Sequence, residues 1–496
     1  MTDIDLRLDN LNSLFPQDFS QEDLARAKTT FLKSLSFKAH RFYGGKMVTV
    51  PKAGLYGFNW FNVWYTPGVS MVSTSIRDDN DLSFELSNRG NLVGVVSDST
   101  RVLGDGNVTP SGGLGVMEGK AFLMKYLGGV DSVALCVDSR NAQGENDPDK
   151  IIEFVKMVQP SFGAINLEDI SQPNCFKVLD VLRQECDIPV WHDDAQGTGC
   201  VTLAGLINAL KIVDKKIGDV RIFMLGAGAS NTTIARLIIK AGGDPGKMVI
   251  FDSKGSLHRG RADIENDPRF YRKWELCEKT NPGSIDDRAQ AVRGADVIIA
   301  LSRPDPRTIK PEWIRSMARD PIVFACANPV PEIYPYAARA AGAAVVATGR
   351  GDFPNQVNNS LGFPGILKGA LLVRATSVTD GMAIEAARAI AETAEARGIT
   401  PENIVPRMGE DVLFPQEAAR VAMQAIKDGV ARRQMSYEQV LEKAQSDISE
   451  ARSMIHHLMD EGYIRRPPVE MIEEALAEAV ASIRSGGARE ESASTP

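Results

Sequence analysis

The sequence predicts an α/β protein with a helical C-terminal extension, and three observations support this prediction. Short apolar runs alternate with helical stretches between residues 45 and 218, and the alternation resumes more regularly after residue 219. A glycine-rich turn separates an apolar run from a helix at the start of that second region. From about residue 380 onward the chain consists mainly of helical segments. Strands that alternate with helices are typical of parallel sheets covered by helices.

Length and composition limit the classes of function to consider. A chain of 496 residues is too long for one ordinary core, so two or three domains are expected. A hydrophobic content of 43% is typical of globular proteins, and the net charge of −8 disfavours nucleic acid or an anionic membrane as the main partner. The six cysteines form no CxxC pair, and no signal peptide or membrane-spanning run is evident. We therefore expect a cytoplasmic protein that acts on a small molecule.

The predicted parts follow one another along the chain. An N-terminal helical segment places Leu24, Phe31 and Leu35 on one face. The first α/β region contains four apolar strand candidates, at 92–96, 133–138, 162–166 and 188–193. The predicted boundaries are a helical segment at 1–42, an α/β domain at 43–218, a doubly wound parallel sheet at 219–380, a helical region at 381–484 and a disordered tail at 485–496.

The glycine-rich turn indicates a dinucleotide site. Gly226 and Gly228 follow an apolar run and open a helix, an arrangement that lets backbone N–H groups approach a pyrophosphate. Asn231 replaces the third glycine of the usual fingerprint, while Asp252 ends the next strand, where a carboxylate can accept hydrogen bonds from a ribose. The pattern predicts a Rossmann-like domain whose turn, including Ser230, binds a dinucleotide. A tight turn that binds no nucleotide is the alternative.

The choice between NAD and NADP stays open from the sequence. Asp252 suits the free 2′-hydroxyl of NAD. Lys254, Arg259 and Arg261 follow at once, and cationic side chains at this place could hold the 2′-phosphate of NADP.

Two acidic pairs form the second candidate site. Glu168-Asp169 and Asp193-Asp194 each come directly after an apolar strand, where α/β domains form ligand sites. Hard carboxylate ligands suit Mg²⁺ or Mn²⁺ and leave coordination positions for a substrate. Acidic residues are also common in the first turns of helices, and these two pairs taken alone are better explained as helix caps.

Five further motifs accompany the acidic pairs in a fixed order. They are VWYTPGVS, SDSTRVLGDGN, GVMEGKA, ACANPVPEI and GRGDFPNQVNNSLGFPG. Together with the acidic pairs they resemble the malic enzyme family in its shorter bacterial form, from about Tyr43 to about Ala394. The first forty residues and the segment after about residue 400 do not match that form. The resemblance implies metal-dependent oxidative decarboxylation of malate to pyruvate and CO₂, with NAD or NADP as the oxidant.

The resemblance also implies a role for each matching residue. It makes Tyr65 the general acid and Lys120 the general base, with Asp193 beside the lysine. His192 matches a position that does not bind the metal. The metal ligands would be Glu168, Asp169 and Asp194, and the contacts to malate and the nicotinamide end of the cofactor would come from Arg101, Asn328, Asn358 and Asn359.

Elementary chemistry agrees with most of these roles. Lys120 can take the hydroxyl proton of malate only if its pKa falls. Asp193 alone would raise that pKa, so its expected task is to orient the lysine and relay its proton. Tyr65 would then protonate C3 of the enolate that remains after loss of CO₂. Singly, each residue also has an ordinary explanation: Tyr65 as a buried tyrosine before a turn, and Asn358-Asn359 as a helix cap.

Other functions remain as alternatives. One is an oxaloacetate decarboxylase, or an oxidative decarboxylase of a substituted malate. Another, from a different class, is a nucleotide-sensing protein without catalysis. A homodimer or higher homo-oligomer is expected, and Leu441, Ile448, Ile455 and Met459, at helical spacing, are predicted to pack between subunits.

Overall fold

The computed structural model describes residues 5–102 and 105–486. The described residues divide into two compact units, one formed by those within 1–48 and 453–496 and the other by those within 49–452. From residue 487 on, the predicted disordered tail lies outside the described residues. The other domain boundaries of the sequence analysis stay predictions. Within the described ranges, no helix combines the length and the apolar character needed to cross a membrane.

Nineteen α-helices and nine β-strands make up the described part of the chain. The helices are α1 Gln21–Tyr43, α2 Phe61–Trp64, α3 Val69–Asp78, α4 Ser83–Leu86, α5 Leu114–Gly128, α6 Pro148–Val158, α7 Asn174–Glu185, α8 Thr198–Ile212, α9 Ala229–Lys240, α10 Ala262–Glu265, α11 Tyr271–Lys279, α12 Arg288–Val292, α13 Pro311–Ser316, α14 Pro335–Ala340, α15 Phe363–Leu372, α16 Asp380–Ala396, α17 Leu413–Lys427, α18 Tyr437–Asp460 and α19 Val469–Arg484. The strands are β1 Leu92–Ser97, β2 Asp131–Cys136, β3 Ala164–Leu167, β4 Val190–His192, β5 Ile222–Leu225, β6 Met248–Phe251, β7 Val297–Ala300, β8 Ile322–Ala325 and β9 Val345–Thr348.

The smaller unit contains the predicted N-terminal helix. Ser20 caps α1 by accepting a hydrogen bond from the backbone of Asp23, and Gly44 ends the helix with a φ of +73°. Phe31 is fully buried, and Leu24 and Leu35 are partly buried in the same apolar cluster. The predicted apolar face is therefore confirmed, and residues of α19 complete its core.

The larger unit begins with a four-stranded sheet in the order β2-β1-β3-β4. All of its strand pairs are parallel. Each of the four predicted strands is present, displaced by at most a few residues. Because parallel strands end at the same edge of a sheet, Ser97, Leu167 and His192 bring the segments that follow them together.

A five-stranded parallel sheet follows, in the order β6-β5-β7-β8-β9. The chain reverses its direction of growth at β5, because β6 lies on one side of that strand and β7 on the other. This is the predicted doubly wound sheet, and a crevice forms beyond the carboxyl ends of β5 and β7. The central strands are apolar and fully buried, as strands covered on both faces require.

Within the larger unit, the helices α15, α16 and α17 that follow the second sheet are largely buried. Ile448 of α18 is buried, and Leu441 is partly buried, in the chain's own main apolar core. The prediction that Ile448 packs between subunits is therefore wrong. For Leu441, Ile455 and Met459, which are partly or largely exposed, subunit packing stays a prediction. Lys368 of α15, only 1% exposed in its side chain, also bonds to Asp447 of α18 at 2.5 Å, which holds the two helices together.

Candidate active site

Three of the predicted carboxylates lie together where β3 and β4 end. Glu168, Asp169 and Asp194 each offer an oxygen, and these oxygens lie within 4.8 Å of one another. The backbone N–H of Asp169 donates to Oδ2 of Asp194 at 2.7 Å, which links the two loops. No side chain caps α7 or the π-helical turn Asp193–Gly197. Helix capping therefore does not explain the acidic pairs, and the cluster has the donor set that Mg²⁺ or Mn²⁺ prefers.

Charge crowding also favours a cation at this cluster. Glu168 and Asp169 are only 2% and 3% exposed, while the Asp194 side chain is one-third exposed. Burial and the neighbouring aspartates raise the pKa of Glu168 well above its usual value, and the charge of Lys120 only partly opposes them. A divalent cation would relieve this repulsion.

Lys120 lies beside the cluster on α5 and is 8% exposed. Its Nζ donates to Oδ2 of Asp193 and lies 3.2 Å from Oε1 of Glu168. The indole N–H of Trp191 donates to the other oxygen of Asp193 at 3.2 Å, so this carboxylate is held from both sides. The structure thus brings together Lys120 and Asp193 as expected. The contact with Glu168 is new, because no sequence pattern connects residues of α5 and β3.

The surroundings of Lys120 determine its charge. Burial alone favours the neutral amine, but the carboxylates of Asp193, Glu168 and Asp194 outweigh burial and raise the pKa of Lys120. The lysine is therefore a cation when the carboxylate cluster is uncompensated. This agrees with the sequence argument that Asp193 raises the pKa of the lysine.

A glycine allows the Asp193 carboxylate to reach its place. A Cβ on Gly197 would overlap Oδ1 of Asp193 and would lie 3.3 Å from Cβ of Asn359. The close approach therefore requires glycine. Asn359 is thus next to the turn that carries the acidic pair. Oδ1 of Asn358 instead accepts a hydrogen bond from Ser360 N at 2.9 Å and caps a short 3₁₀ helix. For Asn358, the alternative explanation as a helix cap is therefore correct.

Arg101 is anchored next to the acidic cluster by its backbone. Its N–H donates to the carbonyl of Asp169 at 2.9 Å, and its exposed guanidinium pairs with none of the described residues. Asp98 organises this loop by accepting hydrogen bonds from Thr100 and Ser139. Asp98 is not among the residues predicted from the sequence. Its position directly after β1, equivalent to that of the acidic pairs after β3 and β4, could have revealed it.

Tyr65 is far more exposed than the other predicted catalytic residues. Its side chain is 71% exposed, and no residue between 49 and 82 is buried. No hydrogen bond or ion pair joins Tyr65 to Lys120 or the acidic cluster within the described part of the chain. The ordinary explanation as a buried tyrosine is therefore wrong, and a single chain does not bring all the predicted catalytic groups into contact.

His192 is fully buried between the two acidic loops. Its Nδ1 lies 3.9 Å from Oδ2 of Asp194, and neither ring nitrogen has a hydrogen-bond partner among the described residues. Burial lowers its pKa against the raising effect of Asp194, which favours the neutral ring. His192 is not part of the three-carboxylate cluster.

The glycine turn is shaped as a dinucleotide site requires. Gly226 has a φ of +96°, and a Cβ there would overlap the carbonyl of Leu301. Gly228 faces open space. The buried amide of Asn231 donates to the carbonyls of Leu225 and Gly226 at 3.0 and 2.9 Å, so this residue holds the turn from inside. Its amide is therefore not available to the pyrophosphate.

Ser230 connects the dinucleotide helix to the acidic cluster. Its hydroxyl donates to the backbone carbonyl of Asp194 at 2.8 Å. This bond crosses from the start of α9 to the turn after β4. The sequence assigned Ser230 to the cofactor, but its hydroxyl proton is committed to the loop that carries an acidic ligand.

Asp252 has partners that the sequence analysis did not foresee. Arg261 donates to both of its oxygens, at 3.1 and 3.0 Å, and Nζ of Lys273 lies 3.7 Å away. Although burial opposes the charge, hydrogen bonds from Arg261 help lower the pKa of Asp252. Lys254 remains 72% exposed, whereas Arg259 donates to the carbonyl of Glu278. Asp252, the predicted ribose acceptor, and Arg261, a predicted phosphate ligand, are thus paired with each other.

Comparison with known proteins identifies the family. The malic enzyme N-terminal domain matches residues 58–183, and the malic enzyme NAD-binding domain matches residues 195–428. A bifunctional malic/malolactic enzyme of Bacillus subtilis is 41% identical, over 83% of this chain and 97% of that enzyme. The chain belongs to the malic enzyme family.

Two further malic enzymes extend the similarity. The NAD-dependent malic enzyme of Geobacillus stearothermophilus is 41% identical, over 79% of this chain and 78% of that protein. The crystal structure of Entamoeba histolytica malic enzyme superimposes with a TM-score of 0.95 and 63% identity, over 97% of this chain and all of that one. The α/β fold and the dinucleotide-binding sheet are therefore those of a malic enzyme.

Proposed function

We propose that this malic enzyme catalyses the oxidative decarboxylation of malate to pyruvate and CO₂, with NAD or NADP as hydride acceptor. The observation that supports it best is the pairing of Lys120 with Asp193 beside three clustered carboxylates. The Ser230 bond connects this cluster to the dinucleotide helix, so hydride transfer and proton transfer can take place in one cleft. Malate is the small-molecule partner, and the six free cysteines agree with a cytoplasmic location.

Glu168, Asp169 and Asp194 would hold Mg²⁺ or Mn²⁺. When bound, the cation would polarise the C2 oxygen of malate, stabilise the enolate left by decarboxylation and offset the negative field that raises the pKa of Lys120. The exposed guanidinium of Arg101, placed next to Asp169 by its backbone, is suited to a substrate carboxylate. Asn359, beside the same turn, and Asn328, after β8, would contact substrate and nicotinamide.

Lys120 removes the proton of the C2 hydroxyl while hydride leaves C2 for the nicotinamide. Asp193 holds the amine through its contact with Nζ, and Trp191 fixes the other oxygen of that carboxylate. The aspartate is therefore placed to orient the lysine and to receive its proton. Tyr65 would protonate C3 of the enolate to give pyruvate.

We propose that a homodimer completes the site. The segment of residues 49–82 has no buried residue, although it is rich in large apolar side chains. Tyr56, Phe58 and Met71 are 81%, 86% and 74% exposed. Such a contiguous apolar surface is typical of a subunit interface. A second copy that covers it would also bury Tyr65 and could bring its hydroxyl to a Lys120.

The proposed reaction is tested by following reduced nicotinamide with malate and Mn²⁺. Lys120→Ala should reduce kcat by about 10²–10⁴-fold, since it removes the general base. Lys125→Ala is the matched control on the same helix, where the lysine pairs with Asp131, and it should leave kcat unchanged. Turnover by Lys120→Ala at the wild-type rate would contradict the mechanism. Failure of the wild type with both NAD and NADP, together with CO₂ release from oxaloacetate, would favour the oxaloacetate decarboxylase instead.

A further inference from the structure

Glu332 is a fully buried carboxylate without a role in the proposed chemistry. It belongs to the ACANPVPEI motif and lies between β8 and α14. One of its oxygens accepts hydrogen bonds from the backbone N–H and the hydroxyl of Ser302, at 2.7 and 3.2 Å. The other oxygen accepts from the backbone N–H of Ala327 at 3.0 Å. One carboxylate thus connects the loop after β7 to the loop after β8.

These two loops border the crevice where the doubly wound sheet reverses. The loop after β7 touches the dinucleotide turn, since Gly226 packs directly on the carbonyl of Leu301, the residue before Ser302. The loop after β8 continues from Ala327 into Asn328, a predicted contact of the nicotinamide end. Ligands of doubly wound sheets bind at this crevice. Glu332 therefore holds the two loops that the cofactor would contact.

We propose that Glu332 is a positioning residue for the dinucleotide, and that it acts by holding Ser302 and Asn328 at the correct separation. This inference rests on the proposed function. The ionised carboxylate accepts hydrogen bonds at both ends of the bridge, whereas a protonated carboxyl group carries a competing donor on one oxygen. Glutamine would direct its NH₂ group at one of the two backbone donors, and alanine would leave the backbone N–H groups of Ser302 and Ala327 without this acceptor. The Glu332 carbonyl also accepts from Ile309 N at 3.0 Å, which fixes the residue from its backbone.

The environment of Glu332 makes its hydrogen bonds to the two loops depend on pH. Burial raises the pKa of this carboxyl to about 7, even though the hydrogen bonds from Ala327 and Ser302 lower it. The titratable group that faces it is the thiol of Cys326, whose own pKa is raised by burial. The doubly accepting form is therefore the major one above about pH 7, and the protonated form loses one acceptor oxygen.

The test measures binding of NADH and NADPH by nicotinamide fluorescence in the full-length protein with Mn²⁺. Glu332→Ala should raise the Kd by about 10-fold or more and Glu332→Gln by about 3-fold to 10-fold, because one or two hydrogen bonds to the loops are lost. The wild-type Kd should also rise as pH falls through about 7, and Glu332→Gln should remove that dependence. Mn²⁺ affinity without dinucleotide, read from free Mn²⁺ by electron paramagnetic resonance, should not change.

Glu312→Gln provides the matched control, because Glu312 is exposed on α13 of the same sheet domain. A Kd for Glu332→Gln that equals the wild-type Kd, with the same pH dependence, would overturn the inference. If Glu332→Ala does not fold, the Kd of the isosteric Glu332→Gln variant and its pH dependence test the inference. A wild-type protein that binds neither NADH nor NADPH would contradict the proposed function instead, so the two failures are distinguishable.

Discussion

The carboxylate cluster around Lys120 and the segment that carries Tyr65 are built in opposite ways. Lys120 is 8% exposed and touches Asp193 and Glu168, so its position is determined by the chain itself. Tyr65 is 71% exposed and belongs to a run of 34 residues, 49–82, without a buried member. One half of the proposed site is thus pre-organised within a single fold. The other half lies on an exposed apolar segment, which the proposed homodimer would cover.

This difference separates the two halves of the reaction. In the proposed mechanism, removal of the hydroxyl proton would use groups that one chain holds in place. Protonation of the enolate would use Tyr65, whose position depends on what covers the apolar segment. We therefore expect variants in the cluster to act on their own subunit, and variants of Tyr65 to act on whichever subunit it faces.

Mixing of inactive variants gives the largest expected effect. Tyr65→Phe and Lys120→Ala should each lower kcat by about 10²–10⁴-fold. If Tyr65 serves the site of its partner, unfolding and refolding an equimolar mixture creates dimers with one intact site. Random pairing then restores about a quarter of the wild-type rate of malate oxidation.

The control mixes two variants of the buried half, Lys120→Ala and Asp193→Asn. Every dimer in that mixture keeps one defect in each cluster, so no activity should return. If the Tyr65→Phe and Lys120→Ala mixture also stays inactive, while both variants form dimers by light scattering, Tyr65 serves its own subunit and the comparison fails.

Gly197→Ala tests how far the buried half depends on exact packing. The added methyl group would overlap the Asp193 carboxylate and force it away from Lys120. We expect kcat to fall roughly 10–100-fold, because small displacements of catalytic groups are costly. Gly409→Ala, where a Cβ meets nothing within 4 Å, serves as the control. Unchanged kcat for Gly197→Ala would show that the Lys120–Asp193 contact does not limit the reaction.

The smallest effect concerns the stability of the cluster without metal. The folded pKa of Glu168 is raised above 4.5, so its contribution to stability is present at low pH and is lost as pH rises through the raised value. Mn²⁺ should reverse this loss and add about 2.7 kcal/mol at roughly 100 times its Kd. Thermal melting with and without Mn²⁺ at several pH values measures both. A Mn²⁺ effect that persists in Asp194→Asn would place the ion elsewhere.

The sequence predicts the sheets and the location of the acidic cluster well. The strands are continuous apolar runs, and parallel strands necessarily end at one edge, so Glu168 and Asp194 are expected to meet. Contacts between residues that lie far apart in the sequence cannot be predicted from such patterns. Glu168 touches Lys120 because α5 packs on β2 and β1, and β1 is the neighbour of β3 in the sheet. Arg261 reaches Asp252 because a loop folds back.

The apolar faces of helices also cannot be interpreted fully from the sequence. The spacing of Leu441 and Ile448 shows that one face of α18 is covered, but not by what, and the chain's own core covers it. Residues 49–82 include many large apolar side chains, yet a single chain leaves the segment exposed. Periodicity reports that a surface is apolar and carries no information on which molecule lies against it.

The hydrogen bond from Ser230 to the carbonyl of Asp194 has a thermodynamic consequence. Asp194 also accepts from the backbone of Asp169, so the dinucleotide helix and the acidic cluster form one connected frame. A dinucleotide that orders the start of α9 would order this frame as well. Linkage is reciprocal, so a metal ion that fixes the acidic loops must strengthen dinucleotide binding by the same factor. Neither ligand's affinity is then a constant of the protein, and each is defined only at a stated concentration of the other.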